Sequence, residues 1–470
     1  MYDGYINMFV STTKEDFVHL KRCKYDNLYR FPNFGKYRKF GFLNENSLNC
    51  RVDSSISNVN NILLYSENRA IPRKLTIELT EKCNLRCKYC RYTLNMQTNK
   101  GRYHNDSNIS FETASKAISR YLEEYDKVKR QIPELLTRKY DKYSSPIIGF
   151  YGGEVLLCQD LFMTLVRFIR NLSKSMRLKT KIAITTNGTL LNEAVLSFLI
   201  KNDIFLAISI DGPQSENDKN RVFQDGHGSF LSVNKWIEYL SENHLDYMQK
   251  KVSIQAVDAP NYDKCRVFEY FSSKTKGDNY AGVNNFLELS YTDFSENINP
   301  IQTHLDLKVL RNNLNRLIDE YDSYFSSIDS SLSTNDIIRK IRLNPFVKNA
   351  VQRAFEVERK ISNKPKTILN YFNSCYLGRA NLFVSVNGEY HICERTDFSM
   401  PIGNVSDGIN TTKLRDIYRK YFLMMNRKKC RSCWCCLFCS LCVGQTIYEK
   451  YITIPNNNKC RKFNLSRIII

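Results

Sequence analysis

Apolar runs and helical segments alternate along the middle of the chain, and this alternation predicts strands and helices in turn. Six apolar runs have the length of strands: 75–79, 147–150, 182–185, 205–210, 252–257 and 286–289. Five segments with helical periodicity lie between them: 111–125, 161–172, 193–201, 230–242 and 262–271. Strands that alternate with helices form a parallel sheet with right-handed crossovers, so we expect an α/β fold here.

The regions on either side follow other patterns. Residues 1–73 are rich in Tyr and Phe without clear periodicity, and residues 293–372 are polar, with helices predicted at 305–324 and 336–360. Residues 373–470 contain nine of the sixteen cysteines. A chain of 470 residues is long enough for two or three domains. We therefore expect an N-terminal region 1–73, an α/β core 74–292, a helical bridging segment 293–372 and a cysteine-rich domain 373–470.

Hydropathy and charge narrow the expected location and partners. The chain has no run of eighteen apolar residues, and its first residues lack the basic and apolar parts of a signal peptide. We therefore expect a cytoplasmic protein with no membrane partner. The formal net charge is +21, which can attract nucleic acid or an acidic peptide. Because the basic residues are interspersed, we attribute this charge to general composition and expect no nucleic-acid partner.

Cysteine usage indicates metal or redox chemistry. Cytosolic thiols are kept reduced, so sixteen cysteines without a secretion signal favour metal ligation over disulfides. Cys83, Cys87 and Cys90 stand as C-x3-C-x2-C directly after the first predicted strand. Three thiolates are one short of a closed four-ligand site, which leaves one corner of a bound metal for another molecule. The alternative is that the three cysteines form half of a zinc site or simply pack.

Polar residues follow the next predicted strands along the chain. Gly152, Gly153 and Glu154 follow the second strand, Asn187 follows the third, and Ser209 ends the fourth. Glycines let the backbone approach closely, and a carboxylate beside them can accept hydrogen bonds from an ammonium group. Polar side chains at the carboxyl ends of successive parallel strands point into one cleft. The alternative for each residue is a role in a turn or helix cap.

The cysteine motif, with an aromatic residue before its third cysteine, resembles the signature of radical S-adenosylmethionine (radical SAM) enzymes. The resemblance implies a partial (β/α)6 barrel and a 4Fe-4S cluster on Cys83, Cys87 and Cys90, with SAM on the fourth iron. An external donor of the flavodoxin or ferredoxin type would reduce the cluster, which cleaves SAM and releases a 5′-deoxyadenosyl radical. The residues that the resemblance places around the cofactors are Tyr89, Gly152, Gly153, Glu154, Asn187, Ser209 and Arg221. It places Glu154 at the methionyl amine and Arg221 at the carboxylate of SAM.

The C-terminal cysteines resemble the SPASM extension of peptide-modifying radical SAM enzymes, which implies two auxiliary iron–sulfur clusters, expected to be 4Fe-4S. The resemblance assigns one set of cysteines to an outer cluster: Cys430, Cys433, Cys439 and Cys460. It assigns Cys375, Cys393 and Cys442 to an inner cluster. Either the inner cluster has an open iron, or Cys435 or Cys436 completes it. A zinc site in this region is the alternative, because CxxC pairs also bind zinc.

Within this family the chain is similar to maturases that install thioethers in ribosomal peptides, the ranthipeptide and sactipeptide makers. We therefore expect a ribosomally made precursor peptide as substrate, a cysteine thioether as product and residues 1–73 as a candidate peptide-binding region. Glu394 stands where sulfatase-maturing relatives carry an aspartate base; it could be a base, a contact to the peptide or a surface carboxylate. The alternatives are formylglycine formation on a sulfatase, another peptide crosslink, epimerisation, or a non-catalytic zinc or electron-transfer module.

Overall fold

The computed structural model describes most of residues 72–275 and parts of the flanking regions. The described residues are 2–3, 8–10, 13, 15, 72–90, 92–93, 96, 103–131, 145–259, 261–275, 287–291, 361–362, 381–396, 398–425, 443–448 and 451–452. The chain divides into two compact units. The larger unit comprises 71–350 and 378–410, and the smaller comprises 1–70, 351–377 and 411–470.

Strands and helices are numbered in chain order. The strands are β1 (Tyr2–Asp3), β2 (Met8–Val10), β3 (Lys74–Thr80), β4 (Ile147–Gly152), β5 (Lys181–Thr186), β6 (Phe205–Ser209), β7 (Val252–Asp258), β8 (Leu287–Tyr291), β9 (Ile361–Ser362), β10 (Leu382–Val384), β11 (Glu389–His391), β12 (Gly403–Asn404), β13 (Gly408–Ile409), β14 (Ile447–Tyr448) and β15 (Tyr451–Ile452). The helices are α1 (Phe111–Gln131), α2 (Gln159–Ser175), α3 (Glu193–Lys201), α4 (Gln214–Asn220), α5 (Phe230–Asn243), α6 (Leu245–Lys251), α7 (Lys264–Thr275), α8 (Thr411–Met425) and α9 (Val443–Thr446). A short 3-10 helix, Val155–Cys158, precedes α2.

Six parallel strands, β3 to β8, form the main part of the larger unit's sheet, in the order of the chain. They coincide with the six strands predicted from the apolar runs. Leu75, Ile77 and Leu79 of β3 are fully buried, as expected for strands that helices cover. The predicted α/β fold with a parallel sheet is therefore confirmed.

Four further strands extend this sheet beyond β3. β10 pairs with β3 in parallel, with Phe383 opposite Thr76, and β11, β12 and β13 follow as antiparallel neighbours. Their residues lie within the predicted cysteine-rich region, and the hydropathy pattern did not predict these short strands. As a consequence, the segment that carries Cys393 and Glu394 is built onto the same sheet as the first cysteine motif.

The helices cover one face of the parallel sheet. Phe150 of β4 packs edge-on against Phe162 of α2, with ring centroids 5.2 Å apart. The amphipathic pattern places Leu165, Val166 and Ile169 of α2 in the core as well. The five helices predicted in this region are all present, and α1 continues to Gln131. The sequence analysis missed α4 and α6, and the helices predicted at 305–324 and 336–360 lie outside the described residues.

The opposite face of the sheet, here called the open face, is polar and partly accessible. Side chains alternate between the two faces of a strand. In β6, Leu206 and Ile208 are buried, whereas Ala207 and Ser209 are only half-buried. Gln255 of β7 is also half-buried and pairs in register with Ser209. The side chains of β6 and β7 on this face are therefore only partly covered.

The smaller unit contains a three-stranded sheet in the order β1, β2, β9 and a β14–β15 hairpin that contacts α8. Ile417, Tyr421 and Met424 of α8 are buried. None of the helices in the part of the chain that the structure describes combines the length and apolar character needed to span a bilayer.

Candidate active site

The first cysteine motif lies in a loop after the carboxyl end of β3, and two backbone hydrogen bonds fix this loop. The amide of Arg86 donates to the carbonyl of Val222 at 2.7 Å, and the amide of Lys88 donates to the carbonyl of Asn220 at 3.0 Å. The structure thus holds the cysteine loop, residues 81–90, against the segment that follows α4.

The three cysteines of this loop are half-buried. Within the described residues, no three His, Cys, Asp or Glu side chains converge closely enough to hold a single metal ion. In a 4Fe-4S cluster each thiolate binds a different iron, so convergence on one ion is not required. The arrangement of the three thiols in this loop is therefore compatible with a cluster.

Burial favours the neutral thiol form of Cys83 and Cys87 when no metal is bound. Burial raises the pKa of Cys83, and the charges of Glu154 and Cys87 raise it further. Burial likewise raises the pKa of Cys87 to about 12, although the nearby Arg221 guanidinium opposes this shift. Metal ligation requires the thiolate form, so binding of iron would release protons from this loop.

The Gly152–Gly153–Glu154 segment at the end of β4 contacts the start of the cysteine loop. The amide of Gly153 donates to the carbonyl of Thr80, and the amide of Glu154 donates to the carbonyl of Lys82, each at 2.7 Å. A Cβ atom on Gly153 would lie 2.0 Å from the carbonyl oxygen of Lys82. Glycine is therefore required at position 153 in part because the backbone passes too close to Lys82 to leave room for a side chain.

We expect Gly153→Ala to lower the free energy of unfolding by at least about 2 kcal/mol, because the new methyl group overlaps backbone that cannot move aside easily. Denaturant unfolding of the two proteins measures the difference. Gly149→Ala is the comparison with a smaller expected effect, because its new methyl group would meet mainly the end of the flexible Lys74 side chain. Equal unfolding midpoints for the Gly153→Ala variant and the parent would contradict the proposed packing.

Glu154 is fully enclosed and connects the ends of two strands. Its Oε1 accepts hydrogen bonds from the amide of Leu156 at 2.9 Å and the hydroxyl of Thr186 at 2.7 Å. Its Oε2 accepts from the amide of Asn187 at 2.7 Å. Burial raises the pKa of Glu154, whereas these hydrogen bonds favour the carboxylate. A carboxylate has about four acceptor positions, so one position remains for a further donor.

Asn187 lies beside the first cysteine. Its Nδ2 donates to Oδ1 of Asn84 at 2.9 Å and to Sγ of Cys83 at 3.8 Å, and its Oδ1 accepts from the amide of Thr189 at 3.0 Å. Nδ2 of Asn84 donates in turn to Oγ1 of Thr189 at 2.8 Å. These contacts tie the cysteine loop to the end of β5. The sequence analysis missed Asn84 and Thr189, because neither belongs to a spaced motif.

Arg221 and Tyr89 meet at the buried carboxylate of Asp211, which lies two residues after the end of β6. The Tyr89 hydroxyl donates to Oδ2 of Asp211 at 2.5 Å and accepts from Nη1 of Arg221 at 2.7 Å. Asp211 also accepts from the Tyr262 hydroxyl at 2.7 Å and from the amide of Val257 at 2.9 Å. Burial alone would lower the pKa of Arg221, but Tyr89, Cys87 and Asp211 together raise it, so the guanidinium stays charged.

Glu394 lies at the other end of β3 from the cysteine loop. Nδ2 of Asn381 donates to Oε2 of Glu394 at 2.5 Å, and Oγ1 of Thr76 donates to Oδ1 of Asn381 at 2.8 Å. Thr76 precedes Thr80 by four residues, about 13 Å along a strand. Cys393 is half-buried beside Glu394. The remaining predicted ligands lie outside the described residues: Cys375, Cys430, Cys433, Cys439, Cys442 and Cys460.

A model of the radical SAM superfamily matches residues 77–257, the range that contains the cysteine loop and every strand end described above. Residues 77–257 form a radical SAM domain. The predicted family resemblance is thereby confirmed, and this family implies SAM and a 4Fe-4S cluster.

Proteins with similar sequences include enzymes that are named as radical SAM enzymes or as sulfatase-maturating enzymes. The chain is 27% identical over 275 residues to the radical SAM cyclopropyl synthase TigE of Paramaledivibacter caminithermalis, which covers 51% of this chain and 55% of that protein. It is 27% identical over 173 residues to the serine-type anaerobic sulfatase-maturating enzyme of Bacteroides thetaiotaomicron, covering 35% of each chain. The chain thus spans about half or less of the length of these curated relatives.

The fold is similar to that of a solved radical SAM structure. The structure of anSMEcpe with bound AdoMet has a TM-score of 0.56 and 18% sequence identity, over 84% of this chain and 96% of that chain. At this identity the similarity shows the fold alone. It supports the α/β radical SAM fold that the sequence pattern and motif predict.

The side chains around the cysteine loop fit the groups that a radical SAM domain binds. SAM presents an ammonium and a carboxylate on its methionyl part. Glu154 retains an acceptor position, and Nε of Arg221 is buried without a hydrogen-bond partner among the described residues. An unpaired buried donor is costly unless a ligand group satisfies it. Ser209 is half-buried on the open face, at the end of β6. Glu154 can therefore accept a hydrogen bond from the ammonium group of SAM, and Arg221 can donate one to its carboxylate.

Proposed function

We propose that this protein is a radical SAM enzyme that modifies a ribosomally synthesised precursor peptide by forming cysteine thioethers. One observation carries the proposal: the cysteine loop follows one end of β3, while Glu394 is connected through Asn381 to Thr76 near the other end of the same strand. An extended peptide rises about 3.3 Å per residue, so roughly four residues would span the distance between them. That arrangement suits a substrate that reaches both groups at once.

The bound cluster and SAM supply a 5′-deoxyadenosyl radical, which abstracts a hydrogen atom from the peptide. In our proposal Cys83, Cys87 and Cys90 hold the cluster, while Glu154 and Arg221 orient the methionyl group of SAM. Tyr89, Asn187 and Ser209, with the backbone of Gly152 and Gly153, complete the cofactor pocket. A thioether removes two hydrogens: one leaves carbon as an atom, and the other leaves the thiol as a proton for Glu394. The remaining electron must leave through an acceptor, for which the C-terminal cysteines are the candidates.

Other parts of the proposal rest on the sequence resemblance. They comprise two auxiliary clusters on Cys375, Cys393, Cys430, Cys433, Cys439, Cys442 and Cys460, with Cys435 or Cys436 as an alternative inner ligand. We further propose an external flavodoxin or ferredoxin donor, a cytoplasmic location and peptide binding by residues 1–73. Iron content tests the clusters, because three 4Fe-4S clusters require about twelve irons per chain.

A second candidate function is maturation of a sulfatase by formylglycine formation. The observation that favours it is the similarity to the anaerobic sulfatase-maturating enzyme, together with the fold shared with anSMEcpe. The similarity to a cyclopropyl synthase likewise keeps carbon–carbon bond formation as an alternative. All of these reactions begin with hydrogen abstraction from a polypeptide, so they differ in product rather than in the cofactor site.

Anaerobic coexpression with the short open reading frame beside the gene tests the product. For a thioether we expect loss of two hydrogens per crosslink and a cysteine that no longer reacts with iodoacetamide. Formylglycine would instead react with a hydrazide probe, and epimerisation would leave the mass unchanged while incorporating solvent deuterium. If the enzyme cleaves SAM but the coexpressed peptide is not modified, the proposal that this peptide is the substrate would be contradicted.

Glu394→Gln tests the proposed base. We expect it to retain SAM cleavage but to form peptide product about a hundredfold more slowly, because general-base catalysis contributes about 10²- to 10⁴-fold. Liquid chromatography with mass spectrometry quantifies 5′-deoxyadenosine and modified peptide in the same reaction. Glu389→Gln, in the same hairpin and partly exposed, is the matched control. Unchanged product formation by Glu394→Gln would assign Glu394 to the other roles considered for it.

A further inference from the structure

Three polar side chains alternate along β3, and each contacts a different segment of the larger unit. Oγ1 of Thr76 donates to Asn381, and Oγ1 of Thr80 donates to Oδ1 of Asn108 at 2.6 Å. Glu78 stands between them and is 0% exposed. Three consecutive polar positions of one strand thus join the β10–β11 region, the cysteine loop and the loop before α1.

Glu78 is the member of this row that contacts two segments at once. Its Oε1 accepts a hydrogen bond from the hydroxyl of Tyr92, two residues after Cys90. Its Oε2 accepts from the amide of Val386 at 3.3 Å, in the turn between β10 and β11. Both Tyr92 and Val386 are buried. One carboxylate therefore joins the cysteine motif to the hairpin that leads to Cys393 and Glu394.

The Tyr92 ring is packed against another ring, which fixes the direction in which its hydroxyl group points. It stacks on the ring of His104, with centroids 5.1 Å apart and planes 17° apart. Nδ1 of His104 lies 3.0 Å from the carbonyl oxygen of Glu81, in the cysteine loop. The hydroxyl of Tyr92 therefore has little freedom to find a different acceptor.

We infer that Glu78 is a positioning residue that sets the separation between the cysteine loop and the Cys393–Glu394 segment. The catalytic roles of the two segments rest on the proposed function, whereas the connection that Glu78 makes between them does not. Each oxygen of the Glu78 carboxyl group accepts one hydrogen bond, Oε1 from Tyr92 and Oε2 from Val386. Both donors are buried, so loss of this acceptor would leave them away from water. Glu78 therefore adds a direct side-chain connection to the strand pairing of β3 with β10.

Glu78→Gln preserves volume but places an amide NH2 group, a donor, opposite one of the two donors. In the full-length chain, we expect amide hydrogen exchange to become about tenfold faster or more in residues 83–92, 386–391 or both. Tyr92→Phe removes only one donor, so it should affect 83–92 and leave 386–391 unchanged. Glu216→Gln is the matched control, because Glu216 is equally buried but accepts hydrogen bonds from Lys219 and from the amide of Asp263, which lie in neither segment. In these two segments its exchange should equal that of the parent.

A second measurement distinguishes a positioning role of Glu78 from a role in stability alone. We expect Glu78→Gln to keep the iron content and SAM cleavage of the parent, while modified peptide formed per 5′-deoxyadenosine falls about fivefold or more. Parent-like exchange in both segments for Glu78→Gln would overturn the inference, as would an unchanged product ratio. If Glu78→Gln does not fold, Tyr92→Phe decides alone: unchanged exchange in 83–92 would overturn the inference. Exchange needs no catalysis, so these results stand even if the parent fails to cleave SAM and the proposed function fails.

Discussion

Replacing Cys83, Cys87 or Cys90 singly with alanine is expected to abolish reductive SAM cleavage and to remove about four irons per chain. The three thiols share one loop that backbone hydrogen bonds hold in place. None of the three can be replaced by a neighbour, because no other cysteine of the described residues lies in this loop. The measurements are iron content after anaerobic reconstitution and 5′-deoxyadenosine formed with dithionite as reductant.

Cys158→Ala is the control for this experiment. Cys158 is also half-buried and free, but it ends the 3-10 helix and donates to Oδ1 of Asn108 at 3.4 Å. We expect it to keep the parent's iron content and SAM cleavage. Persistent SAM cleavage in any of the three loop variants would refute the assignment of the cluster to this loop.

Asp211→Ala is expected to have the largest effect on stability, a loss of about 3–5 kcal/mol, because breaking a buried charge pair leaves the other charge uncompensated. Asp211 is 0% exposed, and its Oδ1 lies 3.9 Å from Nη1 of Arg221. The change also removes the acceptor for the hydroxyls of Tyr89 and Tyr262. Chemical denaturation of the chain before cluster reconstitution measures the difference in unfolding free energy.

Asp225→Ala is the matched control, because Asp225 is exposed and pairs only with the exposed His227. We expect an effect within about 0.5 kcal/mol. Asp211→Asn retains the shape and one acceptor oxygen, so it should lie between the two alanine variants. If Asp211→Ala were as stable as Asp225→Ala, the buried network would carry little of the stability of this site.

The sequence was informative where the physical signal is local. Each strand from β3 to β8 is an apolar run between helical segments, and fully buried parallel strands require such runs. The three loop cysteines were recognisable because metal ligands must be close together in space, and a short loop achieves this by spacing alone. Gly153 was found with the motif, but the sequence could not show that the backbone it approaches is that of Lys82.

The contacts that the sequence could not show share a different property. Glu78 lies within β3 and Asp211 lies two residues after β6, and neither sequence position shows which groups the carboxyl group contacts. Their importance arises from partners distant in sequence: Tyr89 and Tyr262 for Asp211, and Val386 for Glu78. The strands β10 to β13 were missed for a similar reason, because two- and three-residue strands carry too few positions for a periodic pattern.

The sequence by itself determined the α/β class, the strands and helices of the core and the chemistry of the first cysteine motif, because spacing and periodicity are written along the chain. Only the tertiary structure decided that the Cys393–Glu394 segment extends the same sheet and that the buried Glu78 carboxyl group contacts both the β10–β11 turn and Tyr92, just after the cysteine loop. Hydrogen bonds between residues separated by about three hundred positions depend on how the chain folds back, and local patterns do not record that.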